Sequence, residues 1–427
     1  MALDLNTYLD QVRREGRLDS DGQFVLSPEK ALEKMRAFQL AAPELYVVHL
    51  LAAAVARGAT FFRVMTANRG VEFNFDGLPL EREELDGLFS ALLSQGSPTW
   101  QRELAIGVNG ALALEPERVS VDTWASGQGW SLVCQGQQIQ LDARAHGWRP
   151  GAAGTRVLVE LEFSLQRTFR RLSSATTELK LLMQMCRYAP LSLKVDSLLV
   201  SHPVSMGAGS NTALARCRLQ ADPAPPGASL VIQPLQEREA PFCTEESATS
   251  PGDFAALLVL ESARKAREHG LTLVVNGVNF RRSQEVLGFP LACGVVSAPF
   301  LSKNLSHTDL VEDSSYEQLL EQLRQQVQAM VLRRCGSSHP FGRYLGPELA
   351  QALEESFPDP PPGEVREWYA RYKILRSGAS DQDFEAGLAA LAEFQAETAQ
   401  AFEMSFSKRS SSFCSRVGPT RPIPRVE

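Results

Sequence analysis

The stretch "PELYVVHLLAAAVARGA", Pro43 to Ala59, sets the tightest limit on the fold. A proline opens it and Gly58 stops it, which is the punctuation of a helix. Between them the residues are apolar on every side. A helix of that kind has no solvent face, so other elements must enclose it. Before it, "SPEKALEKMRAF" reads as a helix: Ser27 can cap, Pro28 suits the first helical position, and Ala31, Leu32 and Met35 make a stripe. After it come two β-rich runs, "TFFRVMTA" and "GVEFNFDG", with Asn68-Arg69-Gly70 between them, a hairpin signal.

"EREELDGLFSALL" is again helical, and "ERVSVDTWA", "GWSLVCQ" and "QIQLDARA" read as strands, with "TRVLVELEF" expected to close the layer. This order predicts an α+β sandwich over residues 1–165 with helices on one face. A second α+β unit follows over 166–310. In it "SATTELKLLMQMCRYA" reads as a helix leading into the strand pair "LSLKVDSLLV". "FAALLVLESARKAREHG" reads as a helix leading into "LTLVVNGVNF", where Asn276-Gly277 marks a turn. A βαβ-type crossover is expected there. Residues 311–405 read as a helical region, with one stripe at Tyr316, Leu319, Leu320, Leu323, Val327, Met330 and Val331 and another at Phe384, Leu388, Leu391 and Phe402. Residues 406–427 are rich in Ser, Arg and Pro without period, and read as a disordered tail.

A chain of 427 residues exceeds one ordinary core, which supports this division. The net charge of -7 argues against a general nucleic-acid binder, which carries a basic excess to neutralise phosphates. The charged opening residues predict no signal peptide, no run predicts a membrane span, and a cytoplasmic location is expected. The seven cysteines are scattered singly with no C-x-x-C pair, which predicts free thiols and no zinc knuckle. Cys335 and His339 in "CGSSH" lack a second ligand pair. Ser306, His307 and Asp309 in "LSHTD" lack the glycine context of a nucleophile elbow. Trp368, Tyr369 and Tyr372, among basic residues in "VREWYARYKIL", read as helix packing.

Three segments in order carry a family resemblance: "HLLAAAVARGAT", "FDGLP" and "RELAIGVNGALAL". Across roughly residues 28 to 165 the chain resembles the GHKL ATPases: the ninety-kilodalton heat-shock chaperones, gyrase B subunits, mismatch-repair ATPases and sensor histidine kinases. Members have a helix E-L-x-x-N-A-x-D-A-G-A-T, a strand into D-x-G-x-G, and a glycine-rich G-x-x-G-x-G that opens another helix. Residues 166–310 resemble the transducer domain that follows in several members. The resemblance implies a GHKL (Bergerat-type) α/β sandwich, then a transducer-like (ribosomal S5 domain 2-like) α+β domain and a helical C-terminal region.

The resemblance also shows what is missing. His49 stands at the place of the catalytic glutamate and Ala53 at that of the magnesium-binding asparagine. Phe75, two residues before Gly77, replaces the adenine-reading aspartate. Alternation places Phe75 on the apolar face of its strand, whereas a one-residue shift would bring Asp76 into the slot and turn that face outward. Gly107 is kept while Arg102 and Ala105 replace earlier glycines, and side chains obstruct a phosphate cradle. Lys303, in "FLSKNLSHTDL", stands where a transducer's basic residue reaches the γ-phosphate. Catalysis by phosphoryl transfer depends on positioning and charge neutralisation, so these losses predict a pseudo-ATPase: no catalytic residue, no cofactor and no metal. The alternative is an atypical ATPase using ATP with Mg, with His49 as base. Other proteins or a second copy of the chain are the expected partners, and the helical C-terminal region is the expected docking surface.

Overall fold

The computed structural model describes residues 40–336, apart from positions 68, 93, 95, 126–127, 137, 144–152, 162–175, 207–212, 237–242, 262 and 305. The helix expected at 27–38, the Phe384 stripe, His339, the Trp368 segment and the tail lie outside the described residues. Within them the architecture is α+β, with one eight-stranded and one six-stranded sheet.

The apolar stretch forms helix α1, Tyr46–Ala56, preceded by a single 3-10 turn, Pro43–Leu45. Every residue of α1 except Ala56 is buried, as its composition demands. It ends in a left-handed Gly58 at φ 82°, with the amides of Gly58 and Ala59 donating to Val55 and Ala54 carbonyls. That pattern satisfies the last helical carbonyls in a conformation that glycine adopts without a Cβ penalty.

Strands β1, Phe61–Ala67, and β2, Gly70–Phe75, form the expected hairpin. Helix α2, Arg82–Asp86, and helix α3, Thr99–Leu112, follow. Next come β3, Arg118–Ala125, β4, Gln128–Gln135, β5, Gln138–Ala143, and β6, Gly154–Glu160. Helix α4, Thr177–Met185, leads into β7, Ser192–Val195, and β8, Leu198–Leu199. The first sheet has the order β5-β4-β3-β6-β2-β1-β7-β8. Strand β6 therefore does not close the layer. It lies between β2 and β3, antiparallel to both, where it joins two hairpins that sequence order alone would leave apart. The sheet also continues past residue 165, because β7 pairs in parallel with the outer edge of β1. Asp196 secures this junction: its carboxylate accepts from the Thr66 amide and hydroxyl, each at 2.9 Å.

The second sheet holds β9, Ala215–Gln220, β10, Thr244–Thr249, β11, Ala255–Leu260, β12, Leu271–Val275, β13, Val278–Arg282, and β14, Ala292–Ser297. Its order is β10-β9-β11-β14-β12-β13. The segment "FAALLVL", expected to be helical, is the buried strand β11. Only Ala263–His269 is helix, named α5. A continuous apolar run carries no period that separates a buried strand from a buried helix, and only its shortness favours the strand. The expected βαβ crossover is absent here as well. Strand β11 runs antiparallel to β14 and β12 parallel to it, so α5 joins two antiparallel strands with β14 between them.

The two sheets meet at α1. The Asn276-Gly277 turn of the β12–β13 hairpin, both residues at positive φ, sits against Val55 and Leu51. Helix α6, Ser314–Gly336, buries Tyr316, Leu319, Leu320, Leu323, Val327, Met330 and Val331 within the main core. This stripe is thus covered by the chain itself and is not a free docking face.

Helices α1 and α3 pack side by side. Their crossing is tight at Gly107, where an added Cβ would lie 2.7 Å from Leu50 Cδ2 and 3.1 Å from the Leu50 backbone nitrogen. Gly107→Ala is expected to destabilise the protein by about 1–3 kcal/mol through overpacking, because backbone cannot yield as a side chain can. Chemical denaturation checks this; an unchanged midpoint would show that the crossing is loose.

Candidate functional site

The third segment of the resemblance is not a loop. Arg102, Ala105 and Gly107 all lie inside α3, which starts at Thr99. Gly107 serves the approach of two helices, and Ala105 is fully buried. Arg102 lies on the first turns of α3 and donates to the Ser94 carbonyl at 3.0 Å.

Phe75 faces the core and is 4% exposed. Its ring stacks on Phe62 with centroids 5.7 Å apart and planes 15° from parallel, and Phe73 and Tyr46 continue the aromatic cluster. Asp76 follows the strand, and its carboxylate caps the start of β1. One oxygen accepts from the amides of Thr60 and Phe61 at 2.7 and 3.0 Å, and the other accepts from the Thr60 hydroxyl at 2.5 Å. Gly77 has φ 105°, and a side chain there would bring its Cβ to 3.3 Å from the Ala59 amide nitrogen. Ala53 is buried in α1.

The structure brings His49 and Lys303 together through Glu103, a residue that motif reading passed over. Glu103 Oε2 lies 2.6 Å from His49 Nδ1, and Glu103 Oε1 accepts from Lys303 Nζ at 2.6 Å. Side-chain exposure is 2% for His49, 8% for Glu103 and 6% for Lys303, so the cluster is sealed from bulk water. A single carboxylate thus serves a cation on one oxygen and an imidazole on the other. One signal was available in the sequence: Glu103 is the charged residue that opens the apolar run "ELAIGVNGALAL".

The loop that delivers Lys303 is built by its own hydrogen bonds. Ser302 and Val311 pair across its base, and the Asn304 side-chain oxygen accepts from the Thr308 and Asp309 amides and the Ser306 hydroxyl. Asp309 is drawn outward to Arg282 at 2.5 Å. Ser306, His307 and Asp309 are therefore no catalytic triad. His307 instead turns inward with a left-handed backbone at φ 56°, its ring edge-on to His49 with centroids 4.7 Å apart.

The electrostatics follow from burial. Burial pushes the His49 imidazole below its ordinary value, and although Glu103 pulls the other way, the neighbouring Lys303 charge adds to the lowering. His307 is lowered to about 4, first by burial and then by His49. Glu103 is itself buried, which alone would raise it, yet Lys303 and His49 together hold it well below the usual carboxylate range. At neutral pH the cluster is thus a lysine–glutamate ion pair flanked by two neutral imidazoles. Its net charge is zero, the condition under which burial is tolerable.

The chain matches no protein-family model and no curated protein at a significant level. Among the described residues no helix is long and apolar enough to cross a membrane.

Proposed function

We propose that the chain is a non-catalytic pseudo-ATPase of GHKL-plus-transducer architecture, working as a protein-interaction or scaffold component. The observation that carries this reading is the Glu103 cluster. In the family that the sequence resembles, the helix glutamate and the transducer's basic residue converge on a γ-phosphate. Here the residues at those places, His49 and Lys303, converge on the carboxylate of Glu103. An internal anion takes the place of the nucleotide's charge and joins the two units without a ligand.

The other positions agree with this reading. Ala53 has no oxygen for magnesium, and Phe75 offers a ring packed on Phe62 where an acceptor for adenine is needed. Gly107 is covered by Leu50. These residues do not fit magnesium-ATP. The alternative of a working ATPase needs Asp76 to read adenine, but its carboxylate is already engaged by Thr60 and Phe61. With the Tyr316–Val331 stripe internal, the partner surface of this reading falls to the chain beyond Gly336 or to the sheet faces.

Calorimetry with ATP, with and without magnesium, tests the proposal. No heat beyond dilution is expected, and a micromolar dissociation constant overturns it. The variant Ala53→Asn, at a buried position of α1, is expected to cost about 1–3 kcal/mol through overpacking and a stranded amide, and to gain no magnesium-dependent binding. Denaturation together with calorimetry on the variant checks both parts.

A further inference from the structure

A second cluster, with two of its three residues buried, lies at the far end of the second sheet. Glu261 directly follows β11, His269 is the last residue of α5, and Cys293 is the second residue of β14. Their potential ligand atoms all lie within 4.8 Å of one another. Glu261 Oε2 is 2.8 Å from His269 Nδ1 and 3.8 Å from Cys293 Sγ.

The backbone holds these positions in place. The Glu261 amide donates to the Leu291 carbonyl at 2.9 Å, and Val259 is in register with Cys293. Beyond His269 the chain turns at Gly270, φ 61°, whose carbonyl accepts from the Gly294 amide at 3.0 Å. Glu261 is therefore tied to the residue just before β14, and His269, through the next residue, to β14 itself, the strand that carries Cys293.

An independent observation points to a cation. Glu261 is 0% exposed, and its second oxygen, Oε1, is buried with no hydrogen-bond partner. A buried carboxylate oxygen left unmatched costs free energy, and native proteins rarely retain one without an ion, water or donor to satisfy it. Helix α5 presents arginines and lysine in "ARKAREH", but Arg264 and Lys265 are engaged with Glu268 on the exposed side.

We propose that Glu261, His269 and Cys293 form a binding site for a zinc-class divalent cation. The donor set of carboxylate oxygen, imidazole nitrogen and thiolate sulfur is one that zinc takes, and a carboxylate with a thiolate balances the charge of a divalent ion. Bond lengths of about 2.0–2.3 Å put tetrahedral ligand atoms roughly 3.3–3.8 Å apart, so the carboxylate and imidazole need to separate by about half an ångström. Cation binding displaces the thiol proton to solvent and turns the imidazole lone pair toward the metal. His269, with 35% of its side chain exposed, leaves the site in reach of water, which supplies the fourth position. The spacing Glu261, His269, Cys293 follows no zinc pattern, and the sequence-based expectation of no metal, which rests on the lost magnesium ligand and the scattered cysteines, does not weigh this set. The site is independent of the Glu103 cluster and of the pseudo-ATPase reading.

The test uses the full-length protein, reduced and stripped with chelator, and titrated with cobalt(II) alone. One equivalent is expected to bind, giving a thiolate-to-cobalt charge-transfer band and the visible bands of tetrahedral cobalt, both lost when zinc is added. Cys293→Ser is expected to abolish the charge-transfer band while Cys243→Ser keeps it. His269→Gln, at a partly exposed position where the fold is under little threat, is expected to weaken cobalt binding by more than the about 10–100-fold typical of losing an outer-shell partner. No stoichiometric uptake by the parent, a band that survives Cys293→Ser, or unchanged affinity in His269→Gln each overturns the proposal.

Discussion

Replacing Lys303 with methionine is expected to destabilise the protein by about 3–5 kcal/mol, because it leaves the Glu103 carboxylate buried without its cation. Methionine keeps most of the stem volume, so the loss reports charge and not packing. The imidazole of His49 cannot fully compensate, since becoming charged in a buried setting opposes it. It is nevertheless the residue that must respond. With Lys303 gone, its lowering influence on His49 disappears while the raising influence of Glu103 persists, so the His49 titration moves upward. The double variant Lys303→Met with Glu103→Gln removes both charges and is expected to recover most of the stability, as exchange of a whole buried pair for neutral groups is often close to neutral. Denaturant unfolding of the parent, single and double variants, with imidazole resonances followed against pH, checks both parts. A single variant within about 1 kcal/mol of the parent would mean that water reaches Glu103 and that the pair contributes little, as exposed ion pairs do.

Mild acid is expected to weaken the fold well before the carboxylates as a class are protonated. His307 titrates at about 4 when folded, against an ordinary 6.5, and His49 is shifted the same way. Between those values the unfolded chain binds more protons than the folded one, so stability falls as pH drops through the window. A shift of that size on a part-buried ring corresponds to about 1–3 kcal/mol for His307, with a further loss of the same sign from His49. Glu103 acts in a second window. Its folded value is depressed, so its contribution is complete above its ordinary 4.5 and is lost below it. Unfolding free energy measured from pH 7 to 4 should therefore decline first with a histidine-like midpoint, and His307→Phe should flatten that decline. A profile that stays level down to pH 4.5 would place both rings in contact with solvent.

The turns of both sheets were the most legible features because their signals are local. Gly58 after an apolar helix and Asn276-Gly277 between apolar runs each fix a turn through the positive φ those residues favour. What escaped reading is long range or lacks a period. The apolar run of β11 has no alternation to mark it as a strand, since both its faces are buried. The place of β6 depends on which hairpins it joins, and nothing in its own residues states that. At the candidate site, the family resemblance singled out His49 and Lys303, but its pattern holds no place for the carboxylate between them, whose one sequence signal was its position at the start of an apolar run. A glutamate beside an apolar helical run looks like an ordinary solvated acid until a lysine 200 residues later is found against it.

The parallel seat of β7 on β1 has a consequence for how the chain can be made. While residues beyond about 165 are still inside the ribosome, β1 is the open margin of an unfinished sheet, with its free amides and carbonyls flanked by the exposed side chains of Phe61 and Met65. Such an edge is a template for pairing with another chain. At synthesis rates of 5–20 residues per second, the gap from there to Leu199 lasts on the order of a few seconds. Throughout that interval nascent neighbours on one messenger compete with β7 for the same hydrogen bonds, and any shortened version of this protein that stops before Ser192, and so lacks β7, makes the competition permanent.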